Sequence, residues 1–298
     1  MKRTKRWFAA VALAVGTTPG CAVETEELLD DEQTLTTEEA LAAGCWNFQK
    51  GAIGNGLSYL RLADYPFAGT QTIHAVRIDN DHPRVLGYSV SAPANPFLTT
   101  AEFGHKNHDV KVAINGDFRN KQGDTWGLWK SKGKVIESDN GHPFLAYAAR
   151  GSDPKHPERV VVDFFGQRKL ELDDADTPGK AAISGFPELL RDGKLTAPKD
   201  CPGYADLCTG NHPRTATGVS KDGRFTYYVV VEGRLPGAAG MTVLELGKLM
   251  RDKVCAHSAI NHDGGGSSTM WIKNRGVVSR CSDSTGCRHL VNHQGVRW

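Results

Sequence analysis

The chain reads as an α+β protein: a strand-rich, largely antiparallel mixed sheet with a few packed helices. Three observations predict this. Short β-branched or alternating apolar runs recur between residues 58 and 231; turn residues such as Asp79-Asn80-Asp81, Lys132-Gly133 and Lys221-Asp222-Gly223 bound most of them; and helix signals are few. In chain order the strands are expected at 58–62, 73–78, 85–90, 110–114, 144–148, 160–165 and 225–231, with a small hairpin framed by Gly127-Leu128 and Gly133-Lys134. A short helix should start at Thr99 or Thr100 and end near His105. The clearest helix covers 242–253. Thr242 and Glu245 form a capping box, and Leu246, Leu249, Met250 and Lys253 follow at helical spacing. Residues 153–176 mix Pro, Lys, Arg and Asp around one strand and read as an exposed insertion.

The N-terminus has a separate logic. Lys2, Arg3, Lys5 and Arg6 precede an apolar run over 7–15, too short to span a bilayer, and small residues lead to Gly20-Cys21. Residues 1–21 are therefore expected to be a lipoprotein-type signal peptide ending at a lipidated Cys21, and the protein to be exported, anchored to a membrane or secreted. Residues 22–44 hold Glu24, Glu26, Glu27, Asp30, Asp31, Glu32, Glu38 and Glu39 with no Lys or Arg, the pattern of an acidic disordered tether, with a short helix allowed over 37–43. The folded part, 45–298, is about 250 residues, within the range of one domain. A net charge of +2 argues against a nucleic-acid partner.

Seven cysteines are an odd number, and setting Cys21 aside leaves six that an exported protein can pair. Of about fifteen connectivities, spacing favours Cys201–Cys208 and Cys281–Cys287, which leaves Cys45–Cys255. Each short loop contributes roughly 2–2.5 kcal/mol on the chain-entropy model. No Cys-x-x-Cys pair supports a zinc knuckle. His105, His108, His257 and His262 show no ligand spacing, so no transition metal is expected; calcium among Asp and backbone oxygens stays open.

The stretch Asp263-Gly264-Gly265-Gly266-Ser267 sits between two apolar strand-like segments, 259–261 and 269–272. It places a carboxylate at a strand end beside backbone that a ligand can approach closely, and successive N–H groups there can form an anion nest. The competing reading is a tight hairpin that Asp263 merely caps. Other small or polar segments stand at apparent strand ends: Asn115-Gly116-Asp117-Phe118, Arg214-Thr215-Ala216-Thr217-Gly218 and Glu232-Gly233-Arg234. Arg234 paired to Glu232, and Asn115 in an Asx-type turn, are the structural alternatives there.

Taken together with Ile183-Ser184-Gly185-Phe186-Pro187-Glu188-Leu189-Leu190, these segments resemble the phosphodiester glycosidase family from about residue 73 to 271. The chain departs from the family pattern at Asp117-Phe118-Arg119, at Glu232, where Asp is frequent, and at His262, where an apolar residue is usual. The resemblance implies hydrolysis of a sugar-1-phosphodiester at the anomeric carbon, with an N-acetylglucosamine-like sugar. The leaving phosphate is anionic and weakly basic, so the site needs positive charge and N–H donors on the phosphate and a carboxylate on the sugar side. Arg214 and Arg234 are then the phosphate ligands, assisted by backbone N–H groups of Gly264, Gly265, Gly266 and Ser267, with Asn115 and Thr215 as further contacts. Asp263 is the expected nucleophile or general base; Asp117 and Glu232 compete for the other acid–base role. Trp126 and Trp129 read as packing residues, with sugar stacking the alternative. A non-catalytic phosphoglycan-binding domain on the same fold is the competing function. A metal-dependent phosphoesterase is disfavoured, because no carboxylate–histidine cluster with two-metal spacing occurs.

Overall fold

The computed structural model describes residues 44–94, 96–138, 141–166 and 179–298, all within one compact unit, Glu32–Trp298. The expected signal peptide, Cys21, the expected acidic tether up to residue 43, and residues 167–176 of the insertion lie outside these residues.

Among the described residues the strands form three antiparallel sheets. The largest runs β1 (Ala52–Gly54), β2 (Leu57–Pro66), β3 (Thr70–Asp79), β14 (Phe225–Val231), β13 (Arg214–Val219), β15 (Ser258–Asn261), β11 (Glu188–Arg191), β12 (Lys194–Leu195). A second runs β7 (Lys134–Glu137), β6 (Trp129–Ser131), β10 (Ala181–Ser184), β8 (Phe144–Ala148), β9 (Val161–Phe165). The third runs β17 (Gly276–Val277), β16 (Met270–Ile272), β5 (Val110–Asn115), β18 (His293–Arg297), β4 (Gly87–Val90). The expected strands all form, and the expected hairpin is β6–β7. The helices are α1 (Thr100–Lys106), α2 (Ala205–Thr209) and α3 (Val243–Asp252). No helix among the described residues is long and apolar enough to cross a membrane.

The eight-stranded sheet is buried on both faces, which explains its apolar strands. In β14, Tyr227, Val229 and Val231 face one core with α3, while Tyr228 and Val230 face a second core shared with the two smaller sheets. α3 starts at Thr242, whose hydroxyl accepts from the Glu245 N–H while the Glu245 carboxylate accepts from the Thr242 N–H. It buries Val243, Leu246, Leu249 and Met250. Gly247 is required on this face, because a Cβ there would press into Ala197 and Leu195 of the sheet's edge. The three disulfides are Cys45–Cys255, Cys201–Cys208 and Cys281–Cys287, the pairing that spacing favoured.

Candidate active site

Strand ends from all three sheets converge here. Arg214 of β13 sits opposite Val231 of β14, Ala216 opposite Asn261 of β15, and Asn115 of β5 opposite His293 of β18. The glycine turn is the hinge between sheets. β15 belongs to the eight-stranded sheet and β16 to a five-stranded one, so the segment between them is a crossover through one 3-10 turn, Gly265–Ser267. The tight-hairpin alternative is thereby corrected.

Asn115 fixes this crossover. Its Nδ2 donates to the Asp263 carbonyl at 2.8 Å, and its Oδ1 accepts from the Thr215 hydroxyl at 2.7 Å and the Thr269 N–H at 3.1 Å. Both side chains are buried and mutually engaged, so Asn115 and Thr215 brace the crossover. The Asp263 N–H donates to the Gly116 carbonyl at 3.0 Å, tying the two carboxylate-bearing segments together.

Asp117 is buried. Its carboxylate accepts from the Ser184 hydroxyl at 2.5 Å, the Phe118 N–H at 2.8 Å and the Gly127 N–H at 3.1 Å. Desolvation outweighs these donors and lifts its pKa to about 6, with the negative charge of Asp263 adding to the rise. Asp263 keeps part of its surface open to solvent. Its pKa is also raised by burial, and it is held down by the Ser267 hydroxyl at 2.6 Å, the Gly264 N–H and the charges of Arg288 and Arg119. Glu232 belongs to a different arrangement: it accepts from His74 Nε2 at 2.9 Å and from Arg280 N–H and Nε at 2.8 and 2.6 Å. Burial alone would raise its pKa, but these partners win and lower it. Its carboxylate is thus engaged by His74 and Arg280, not by Arg234, so the alternative reading of a local Glu232–Arg234 pair does not form.

The two arginines are not equivalent. Successive strand residues face opposite ways, and Arg214 points with Ala216 towards the α3 side while Thr215 and Thr217 face the other core. Its Nε donates to the Met241 carbonyl at 2.7 Å and its Nη2 to the Gly210 carbonyl at 2.8 Å. Burial and the nearby charge of Arg234 lower its pKa to about 10. Its guanidinium is therefore buried, with Nε and Nη2 already donating to backbone carbonyls. Arg234 is exposed, and its guanidinium lies over Gly265, whose φ of 61° favours glycine. Its Nη2 donates to His212 Nδ1 at 2.7 Å, and His212 Nε2 donates to the Asp206 carbonyl at 2.9 Å.

The turn's N–H groups are mostly engaged within the protein. Gly264 donates to the Asp263 carboxylate, Gly265 to the Pro213 carbonyl at 3.0 Å and Ser267 to the Gly264 carbonyl at 3.2 Å. The turn's glycines admit close neighbours: Arg234 against Gly265 and the Asp283 carboxylate against Gly266.

Sequence reasoning missed the support beneath Asp117. His262 is buried and neutral, its pKa driven down to about 3 by desolvation. Its Nδ1–H donates to the Ser184 carbonyl at 3.2 Å, while Nε2 accepts from the Thr217 hydroxyl at 2.9 Å and the Gln294 amide at 2.8 Å. Asn292 Oδ1 accepts from the Asp117 N–H at 2.9 Å. His262 departs from an apolar family position, and that departure was the available signal. Among the described residues no group of three or more His, Cys, Asp or Glu converges on a metal-sized site.

The family model for phosphodiester glycosidases matches residues 108–297, which include Asp117, Arg214, Glu232, Arg234 and Asp263. Among solved structures, the chain is similar to the catalytic domain of zebrafish N-acetylglucosamine-1-phosphodiester alpha-N-acetylglucosaminidase, auto-inhibited by its pro-peptide. That likeness has a TM-score of 0.59 at 19% identity and covers 86% of this chain and 87% of that one. It is also similar to a hypothetical protein from Synechocystis, with a TM-score of 0.55 at 13% identity over 81% of this chain and 62% of that one. At these identities the likeness is one of fold. No curated protein matches the chain. The family model spans well over half of the sequence, and the chain belongs to the phosphodiester glycosidase family.

Proposed function

We propose that the protein is a hydrolase cleaving the C1–O bond of a sugar-1-phosphodiester, with an N-acetylglucosamine-like sugar. One water is added across that bond: hydroxyl to C1, proton to the departing oxygen. The products are free sugar and a phosphomonoester. The observation that carries this reading is that Asp117 and Asp263 stand on adjoining segments, tied by the Asp263 N–H to the Gly116 carbonyl at 3.0 Å, in different surroundings. Asp117, protonated up to about pH 6, is the proton donor. Asp263, in the field of Arg119 and Arg288, is the anionic partner that attacks C1 or takes the proton of the attacking water. Arg234, exposed over the glycine turn, is the phosphate ligand. Arg214 adds positive charge from behind.

Incubation with a panel of sugar-1-phosphodiesters tests this. Free sugar plus phosphomonoester is expected. Sugar-1-phosphate would mean P–O cleavage and would overturn the reading. Binding without turnover would leave a phosphoglycan-binding domain.

We also propose that the chain is exported, with residues 1–21 as leader and a lipid on Cys21; its three disulfides suit an oxidising compartment. Detergent partitioning should be lost in Cys21→Ser. An unmodified Cys21 in the mature protein would overturn lipidation.

A further inference from the structure

Beside Asp117 lies an aromatic cleft of about 320 Å³, lined by Asn120, Thr125, Trp126, His142, Phe186 and Tyr204. We infer that this cleft is the subsite for the sugar ring, which stacks on Trp126 and Tyr204 with its C1 end towards Asp117. The inference rests on the glycosidase reading above.

Trp126 is the hub of the cleft. Its ring lies 4.8 Å from Phe118 and 4.9 Å from Tyr204, with Phe186 at 5.9 Å. The backbone joins this hub to the proton donor. The Trp126 N–H donates to the Phe118 carbonyl at 3.2 Å, and the next N–H, of Gly127, donates to the Asp117 carboxylate at 3.1 Å. A ring resting on Trp126 is thus one peptide from the acid.

The lining decides the ligand class. It holds no Lys or Arg, so it does not suit the phosphate; the exposed Arg234 stands in a separate set with His212 and Gly265. Aromatic faces carry negative quadrupole charge and attract the C–H face of a pyranose. Asn120 and Thr125 supply polar atoms for hydroxyl groups. The volume is near the lower end of the roughly 300–1,000 Å³ of small-molecule sites, which suits one ring rather than an oligosaccharide.

Tyr204 is built to present its ring outward. It is 52% exposed while its ring packs 4.9 Å from Trp126. The loop that carries it is closed by Cys201–Cys208, and the Tyr204 N–H donates to the Cys201 carbonyl at 2.8 Å. Its position is therefore fixed before any ligand arrives, which reduces the ordering cost of binding.

The test separates binding from turnover. Free N-acetylglucosamine, glucose and inorganic phosphate are titrated against the parent, Tyr204→Ala, Tyr204→Phe and Arg234→Ala, followed by tryptophan fluorescence and ligand-observed NMR. Tyr204→Ala should weaken binding of at least one monosaccharide about tenfold, Tyr204→Phe should restore it, and phosphate binding should be unchanged in both. Arg234→Ala should leave monosaccharide binding within about twofold of the parent. Monosaccharide binding that is absent from the parent, or indifferent to Tyr204→Ala, would overturn the inference. So would kinetics in which the Tyr204→Ala loss follows the aglycone and not the sugar. The proposed reaction is judged by its products, so failure of the cleft and failure of the hydrolase reading are distinct results.

Discussion

Asp117 gives up its proton near pH 6 because burial penalises the anion more than Ser184, Phe118 and Gly127 stabilise it. As proton donor it predicts a fall in kcat/KM above about pH 6, and Asp117→Asn should lose about 10²–10⁴-fold in rate together with that limb. The same shift has a stability consequence. The folded pKa lies above the ordinary 3.8, so the folded chain holds this proton more tightly than the unfolded one. The contribution is full below about pH 4 and is lost as pH rises through about 6; it amounts to about 3 kcal/mol. Thermal melts should therefore show Asp117→Asn gaining on the parent between about pH 4 and pH 7. A constant Tm difference would mean that Asp117 has an ordinary pKa. Asp263→Asn should behave otherwise: it retains an oxygen for the Ser267 hydroxyl, so the Tm should stay near that of the parent while turnover collapses. The arginines separate in the same experiment. Arg234→Ala should slow a phosphodiester far more than an aryl glycoside, because only the former brings an anion. Arg214→Ala should lower the Tm as well, since it leaves the Met241 and Gly210 carbonyls without their donor.

At the scale of elements, the ion-paired end of β14 shows how a motif can mislead. Glu232-Gly233-Arg234 suggests a local pair, yet Glu232 reaches His74 of the neighbouring β3 and Arg280, while Arg234 turns over Gly265. The folded pKa of Glu232 is lowered, so its contribution is present above the ordinary value of 4.5 and lost as pH falls through the folded one. Glu232→Gln should cost about 1–3 kcal/mol at neutral pH and leave kcat within a few-fold. A collapse of kcat with an unchanged Tm would return Glu232 to the chemistry. Where local chemistry sets an element, the sequence was sufficient. Thr242 and Glu245 cap α3 as spacing requires, and Tyr227 to Val231 alternate between two cores. β18 was not legible, because His293-Gln294-Gly295-Val296-Arg297 carries almost no β-branched signal; its burial comes from lying between β5 and β4. α2 was missed for a related reason: Tyr204 provides no side-chain cap, and the helix is tied back to Cys201 through its own Cys208.

For the molecule as a whole, the carboxylates and glycines of the candidate site stand at strand ends that the sequence shows, but their partners could not be read there. His262, Ser184, and the pair Asn292 and Gln294 come from three separated stretches that meet only because β10, β15 and β18 bring three sheets together. Facing direction was equally hidden, as Arg214 and Thr215 show. The disulfides divide along the same lines. Cys45–Cys255 joins the start of the folded chain to the end of α3, where the Trp46 N–H also donates to the Lys253 carbonyl at 2.8 Å. It closes a separation of 210 residues on the α3 side of the large sheet. Chain entropy assigns such a loop about 5 kcal/mol, which corresponds to a Tm loss on the order of 10 °C. Cys201–Cys208 spans only 7 residues, constrains the unfolded chain less, and carries Tyr204 and the Gly210 carbonyl that holds Arg214. Replacing both cysteines of the long-range pair with Ser should therefore lower the Tm strongly and leave kcat/KM near that of the parent well below the transition. Replacing Cys201 and Cys208 should do the reverse, with a modest Tm change and a clear rise in KM. If the two double variants lost activity in proportion to stability alone, the short disulfide would have no part in shaping the site.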